Sequence, residues 1–230
     1  MPSPVIFRQL FDSATWTYTY ILADQNTREA VIIDSVREQF DRDLKLIEEM
    51  DLKLKFAIET HVHADHITAC GQFREATGCA TGFSVHDDIE CADLKLTDGD
   101  KIVFGAHTLK VLETPGHTQG CLSFYGEGMV FTGDALLIRG CGRTDFQGGS
   151  STTLYHSVKD KLLSLPDETL VYPGHDYTGK LSSTVGEEKA HNPRLTLDEA
   201  GFVTFMANLN LDPPKRIQQA VPANKACGTT

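Results

Sequence analysis

The chain has no apolar run approaching the roughly 20 residues that cross a bilayer, which excludes an α-helical membrane protein. It has no excess of positive charge either. Its 21 Lys and Arg stand against 32 Asp and Glu, a formal net charge of −11. That balance excludes a protein that grips nucleic-acid phosphates over a broad face and one that docks on an anionic membrane. Repeats, low-complexity tracts and Gly/Ser linkers are missing, so collagen-like, coiled-coil and disordered chains are excluded as well. The first residues, MPSPVIFRQLFDSATWTYTY, contain neither the basic and apolar regions of a signal peptide nor an Arg/Ser-rich transit sequence. The expectation is a soluble, cytoplasmic protein. No Cys-x-x-Cys pair occurs among Cys70, Cys79, Cys91, Cys121, Cys141 and Cys227, which argues against a thioredoxin-type or zinc-ribbon site. A chain of 230 residues needs no disulfide staples, so these six are expected to be free, reduced thiols.

What is present reads as one globular domain over residues 1–230. Segments 15–23 and 29–34 are rich in β-branched and aromatic residues and predict strands joined by a turn at 24–27. Phe40, Leu44, Ile47 and Met50 recur at helical spacing and predict an amphipathic helix over 37–51. LKFAIET (54–60) predicts a buried strand that delivers a polar cluster at its end. Residues 66–77 predict a helix closed by Gly78. Short strands follow at 80–84, 101–105, 108–114, 121–125 and 129–133. A helix over 153–165 has Ser150 or Ser151 as its N-cap, and 169–173 predicts a further strand. A C-terminal helix over 197–211 and a Pro-broken, irregular tail would complete the 197–230 region. The pattern suggests two sheets face to face with helices outside.

The histidines carry more information. Residues 60–66 read Thr-His-Val-His-Ala-Asp-His, placing His61, His63, Asp65 and His66 directly after an apolar strand. Alternate residues of an extended segment share a face, so His61 and His63 can point the same way, with Asp65 and His66 entering the next helix. His117 lies in a Thr-Pro-Gly-His turn, Asp134 ends Phe-Thr-Gly-Asp, and His175 follows Tyr-Pro-Gly. All seven fall just past predicted strands, the usual place for chemistry built on loops. Nitrogen and oxygen donors without thiolate suit Zn, Fe or Mn.

This succession of motifs resembles the metallo-β-lactamase fold superfamily over nearly the whole chain. The implied fold is an αββα sandwich, two mixed β-sheets flanked by helices, with the metal at one edge. Segments 134–147, 191–197 and 220–228 are similar to the persulfide dioxygenase family within it. That resemblance implies one Fe(II) per chain held by His61, His117 and Asp134, two His and one carboxylate with three positions left open. It implies glutathione persulfide and O₂ as substrates, sulfite and glutathione as products, and a homodimer. His63, Asp65, His66 and His175 would then hydrogen-bond waters and orient the ligands. Arg143, Tyr177 and Arg194 are candidates for binding glutathione's carboxylates. The alternative is a binuclear zinc thioester hydrolase of the glyoxalase II type, with Asp65, His66 and His175 as ligands and Asp134 as a bridge. That type carries a longer helical C-terminal region than the 55 residues that follow His175 here. Cys141 and Cys227 sit in matching motifs, where packing and oxidation by the sulfur chemistry are both open. Gly174 stands where the animal enzymes lead one to expect Ala, an exchange of small residues expected to change little. His86, His107, His156 and His191 belong to no motif and read as surface or capping groups.

Overall fold

A computed structural model describes residues 4–229. The first half of the chain forms a sheet from β1 (Val5–Asp12), β2 (Thr17–Asp24), β3 (Glu29–Ile33), β4 (Lys53–Ile58), β5 (Ala80–Ser84) and β6 (Leu94–Leu96), paired in that order. The first two pairings are antiparallel and the last three parallel. Parallel neighbours need crossovers. α1 (Phe40–Glu49) supplies the one between β3 and β4, and α2 (Cys70–Thr77) the one between β4 and β5. Gly78 caps α2 with a left-handed φ of 73°, as its sequence position predicts.

The second sheet contains β7 (Lys101–Phe104), β8 (His107–Glu113), β9 (Leu122–Gly126), β10 (Met129–Gly133), β11 (Leu170–Pro173) and β12 (Ser183–Thr184), again in sequence order. Only β10 and β11 pair in parallel, across a crossover that contains α3 (Ser151–His156) and a π-helical continuation over Ser157–Leu162. The Ser150 side chain caps α3 by accepting from Thr153 N. α4 (Val185–His191), α5 (Glu199–Ala207) and α6 (Ile217–Lys225) complete the chain. Among the described residues no helix is long and apolar enough to cross a membrane.

β2 shows why this is a four-layer structure. All eight of its residues are buried. Side chains alternate along a strand. Tyr18, Tyr20 and Leu22 therefore enter the core between the sheets, with Phe124 and Phe131 opposite, while Ile21 and Ala23 meet Phe73 and Ile47 under the helices. A third apolar cluster, including Val130, Val171, Leu154 and Phe202, joins the second sheet to α3 and α5. The expected αββα sandwich is the observed fold.

Four expectations fail locally. The segment before α2 is not helical: the helix begins at Cys70, and 61–69 is a loop that carries Asp65 and His66. The tail is not irregular, because α6 forms despite Pro222, with Ala220 and Ala223 buried against Ile67. The cysteines are not all free: Cys91 and Cys227 form a disulfide across 136 positions, while Cys70, Cys79, Cys121 and Cys141 are buried thiols. Burial pushes the Cys121 thiol up to about 12. His107 is buried rather than superficial, its Nδ1 3.1 Å from a Glu127 carboxylate oxygen.

Candidate metal centre

Ligands gather at one edge of the sandwich because β4, β8, β10 and β11 all end there. His61, His117 and Asp134 offer donor atoms within 4.8 Å of one another. The tautomers of both histidines follow from their neighbours. Thr60 Oγ1 donates to Asp34 Oδ2 at 2.8 Å, which uses its only proton. The contact of 3.0 Å to His61 Nδ1 must then run from the ring to the hydroxyl. His117 Nδ1 lies 2.7 Å from the Arg143 carbonyl, which can only accept. Both rings therefore carry a proton on Nδ1 and leave Nε2 as the ligand atom, with that of His117 lying 3.8 Å from Asp134 Oδ2. Burial, then the neighbouring His63, holds His61 far below its ordinary range, so it is neutral.

Asp134 is buried, which opposes ionisation. The charge and hydrogen bond of His175 overcome this and hold the carboxyl well below the usual carboxylate range. His175 donates from Nδ1 to Asp134 Oδ1 at 2.7 Å and from Nε2 to Asp65 Oδ2 at 3.0 Å. Burial disfavours its charge, but Asp134 and Asp65 together keep it an imidazolium. His63, Asp65, His66 and His175 form a second group of donors within 4.8 Å, and His66 Nε2 is a buried nitrogen without a hydrogen-bond partner. The His63 ring turns inward, its Nε2 3.3 Å from Asp34 and 3.2 Å from Glu59. Against the cost of burial, Asp34 and Glu59 raise it to about 10. Two imidazoles and one ionised carboxylate suit a divalent cation such as Fe(II) or Zn(II).

A family model described as the metallo-beta-lactamase superfamily matches residues 17–175. The human mitochondrial persulfide dioxygenase ETHE1 is 51% identical, over 98% of this chain and 90% of its own length. The crystal structure of ETHE1 from Myxococcus xanthus has a TM-score of 0.95 and 53% identity, covering 97% of this chain and 99% of that one. The chain belongs to the persulfide dioxygenase family of this superfamily. More distantly, TTHA1623 in a di-iron-bound form has a TM-score of 0.67 at 27% identity, over 81% of this chain and 98% of that one. The persulfide dioxygenase relatives do not favour the thioester-hydrolase alternative.

The family-like segments now acquire physical reasons. In 140–143, Gly142 donates its N–H to the Asp134 carbonyl at 2.7 Å. A Cβ on Gly142 would lie 2.8 Å from His117 Nδ1, so only glycine permits this approach. The carbonyl of Arg143 orients His117. Its guanidinium is engaged elsewhere: it forks onto the Asp145 carboxylate at 2.7 Å and donates to the Asp212 carbonyl at 2.7 Å. Arg194 donates to the Cys141 carbonyl at 2.6 Å and lies over the Phe205 ring, so it staples the 134–147 segment to the 191–197 segment. Asn192 Nδ2 does the same through the Gly140 carbonyl at 3.0 Å. Tyr177 is 62% exposed, with its ring parallel to that of His175 at a centroid distance of 6.1 Å. Gly174 is not freely exchangeable for Ala: a Cβ there would lie 2.9 Å from Asp134 Oδ1 and 3.2 Å from the Gly133 backbone.

Several further residues that hold the site stand outside the ligand motifs. Thr17 reaches His175 Nε2 at 3.1 Å from β2, and Gln147 donates to the Val62 carbonyl at 2.8 Å. Asp34 anchors Thr60 through both its amide and its hydroxyl. An acidic residue at the end of an apolar strand was the available signal for Asp34, and Gln147 closes the family-like segment 134–147; Thr17 had none.

Asp87 lines a cavity of about 320 Å³ beside this edge, together with Val62, Thr118, Gln147 and Lys225. Its Oδ2 is buried without a partner. Burial raises its carboxyl from 3.8 to about 6. The folded chain therefore binds this proton more tightly than the unfolded chain, and stability falls as pH rises from about 4 to 6. Asp87→Asn is expected to abolish that fall and to gain about 1–2 kcal/mol at pH 7, allowing for solvent at a partly exposed carboxylate. Urea titrations of both proteins at pH 4 and pH 7 measure it. Equal stability at pH 7 would refute it.

Proposed function

We propose that the chain is an iron(II) dioxygenase that converts glutathione persulfide, O₂ and water to glutathione and sulfite. The observation that carries this reading is the buried cluster of His61, His117 and Asp134 in a chain half identical to named persulfide dioxygenases. Bound Fe(II) would supply electrons and adjacent open positions where O₂ and a persulfide sulfur meet. The protein's own part is preorganisation. Thr60 and the Arg143 carbonyl fix two ring orientations, and His175 keeps Asp134 ionised. His175 can also hold a proton at Nδ1 beside the carboxylate. Tyr177 offers an exposed ring and hydroxyl for the organic part of the substrate. Arg143 reaches a glutathione carboxylate by exchanging Asp145 or a carbonyl partner, and Arg194 by releasing Cys141. One Fe(II) per chain, a homodimer and a cytoplasmic location belong to the same reading.

An oxygen electrode with iron-loaded protein and glutathione persulfide tests it. The expected result is one O₂ consumed per sulfite formed, and no turnover of S-lactoylglutathione. Turnover independent of O₂, or full activity with only zinc bound, would overturn it.

A further inference from the structure

The loop 61–69 carries four of the seven donors yet has no regular secondary structure. Buried backbone polar groups need partners, and this loop takes several from outside itself. Asn224, on α6, is 1% exposed and supplies three of them. Its Nδ2 donates to the carbonyls of His63 and His66, each at 2.9 Å. Its Oδ1 accepts from the Thr68 N–H at 2.8 Å. The same stretch of tail is seated firmly. The Cys227 carbonyl accepts from Gly71 N at 2.9 Å, and a Cβ on Gly228 would collide with the Thr68 carbonyl. The Cys91–Cys227 disulfide ties it to the segment after β5.

We propose that Asn224 is a positioning residue of the metal centre, and that this is what the 220–228 motif does. The inference rests on reading this edge as a metal site. The connection is continuous. Asn224 fixes the backbone on both sides of Asp65, Asp65 Oδ2 accepts from His175 Nε2, and His175 Nδ1 aims Asp134 Oδ1. Without Asn224, two buried carbonyls and one amide lose their partners. The loop then relaxes, and the carboxylate loses the contact that orients it. Partners of metal ligands acting in this way are worth about 10–100-fold in metal affinity.

The test uses the full chain with Asn224→Ala and Asn224→Ser, the latter keeping a small hydrogen-bonding group. Thermal melting establishes that each variant is folded at the assay temperature. Fe(II) affinity is then measured by competition with a chelator, and Co(II) absorption reports ligand geometry. The expected result is an affinity loss of about 10–100-fold and an altered Co(II) spectrum. In turnover, kcat falls while KM for glutathione persulfide stays within about twofold. Folded variants with wild-type metal affinity and Co(II) spectrum would overturn the proposal, as would a loss confined to KM. A melting temperature lowered without those changes identifies a merely structural residue and overturns it too. The affinity measurement requires no turnover. Wild-type protein that binds Fe(II) but consumes no O₂ would therefore sink the dioxygenase reading while leaving this inference to its own result.

Discussion

Asp134→Ala is expected to lose bound iron and at least about a thousandfold in O₂ uptake, about 4 kcal/mol or more at 1.36 kcal/mol per tenfold. The size of the effect follows from how many tasks meet on one carboxylate. Asp134 is the single anion of the His61–His117–Asp134 cluster. It is also the partner of His175 Nδ1 at 2.7 Å. Removing it leaves two imidazoles to hold a divalent cation and a buried imidazolium with Asp65 as its one remaining carboxylate partner. Asp134→Asn is the sharper variant, because it keeps the shape and removes the charge. Plasma emission reports iron per chain, and an oxygen electrode at saturating glutathione persulfide reports kcat. A variant that keeps one iron per chain and a tenth of the activity would refute the assignment. His66→Ala supplies the contrast. With one metal at the cluster, that variant keeps its iron and loses at most about 100-fold. With two metals, removing a ligand strips one of them.

The parts of this site that could be read from the sequence are those in which chemistry is concentrated locally. His61, His63, Asp65 and His66 lie within six positions, and their density after an apolar run is visible without a structure. His117, Asp134 and His175 are scattered, but each follows a run of strand formers, so their convergence at one edge can be anticipated. Strand and helix periodicity similarly exposes the two sheets. The supporting contacts have no such signature. Asp34 and Thr60 are 26 positions apart, and Asn224 is 158 positions from His66. Nothing in their spacing announces the pairing. The Cys91–Cys227 bond is equally silent, joining residues 136 positions apart in a chain whose size gives no reason to expect a staple. The tail departs from its expected irregular form because the rule that proline breaks helices is overcome at Pro222. Here α6 is short, and burial of Ala220, Ala223 and Asn224 compensates for the lost backbone bond. Arg143 and Arg194 carry the same lesson: their family-like segments mark them for a ligand role, but the oxygens of this chain that engage them, and that a ligand would have to displace, have no mark in the sequence.

Glu188→Ala is expected to cost about 3 kcal/mol of stability while leaving each folded chain able to bind iron. Glu188 is fully buried on α4 and gathers four donors. It accepts from Arg139 N at 2.9 Å, Ser183 Oγ at 2.6 Å and Asn192 Nδ2 at 2.8 Å, and it pairs with the Arg139 guanidinium. Removing one partner of a buried pair typically costs about 3–5 kcal/mol, because the other is left uncompensated. The Arg139 side chain retains 31% exposure and keeps its ion pair with Glu187 at 3.1 Å, which places the loss at the lower end. For a chain of this length, about 3 kcal/mol lowers the melting temperature by about 6–12 °C. Glu188→Gln keeps an oxygen for the Arg139 amide and Asn192 Nδ2, which donate to the same carboxylate oxygen, and is expected to lose less. Arg139→Ala combined with Glu188→Ala should cost less than the sum of the single changes, since neither charge is then stranded. Urea unfolding of the wild type and four variants, Arg139→Ala alone included, measures all of this, and a loss below about 1 kcal/mol for Glu188→Ala would refute the argument. The network matters to the metal centre because Asn192 also donates to the Gly140 carbonyl, two residues before the glycine packed against His117. Two of the segments that mark the family, 134–147 and 191–197, are thus joined through the interior of the protein by hydrogen bonds. Iron bound per folded chain is the quantity that separates their structural role from a chemical one, and it should survive the loss of Glu188.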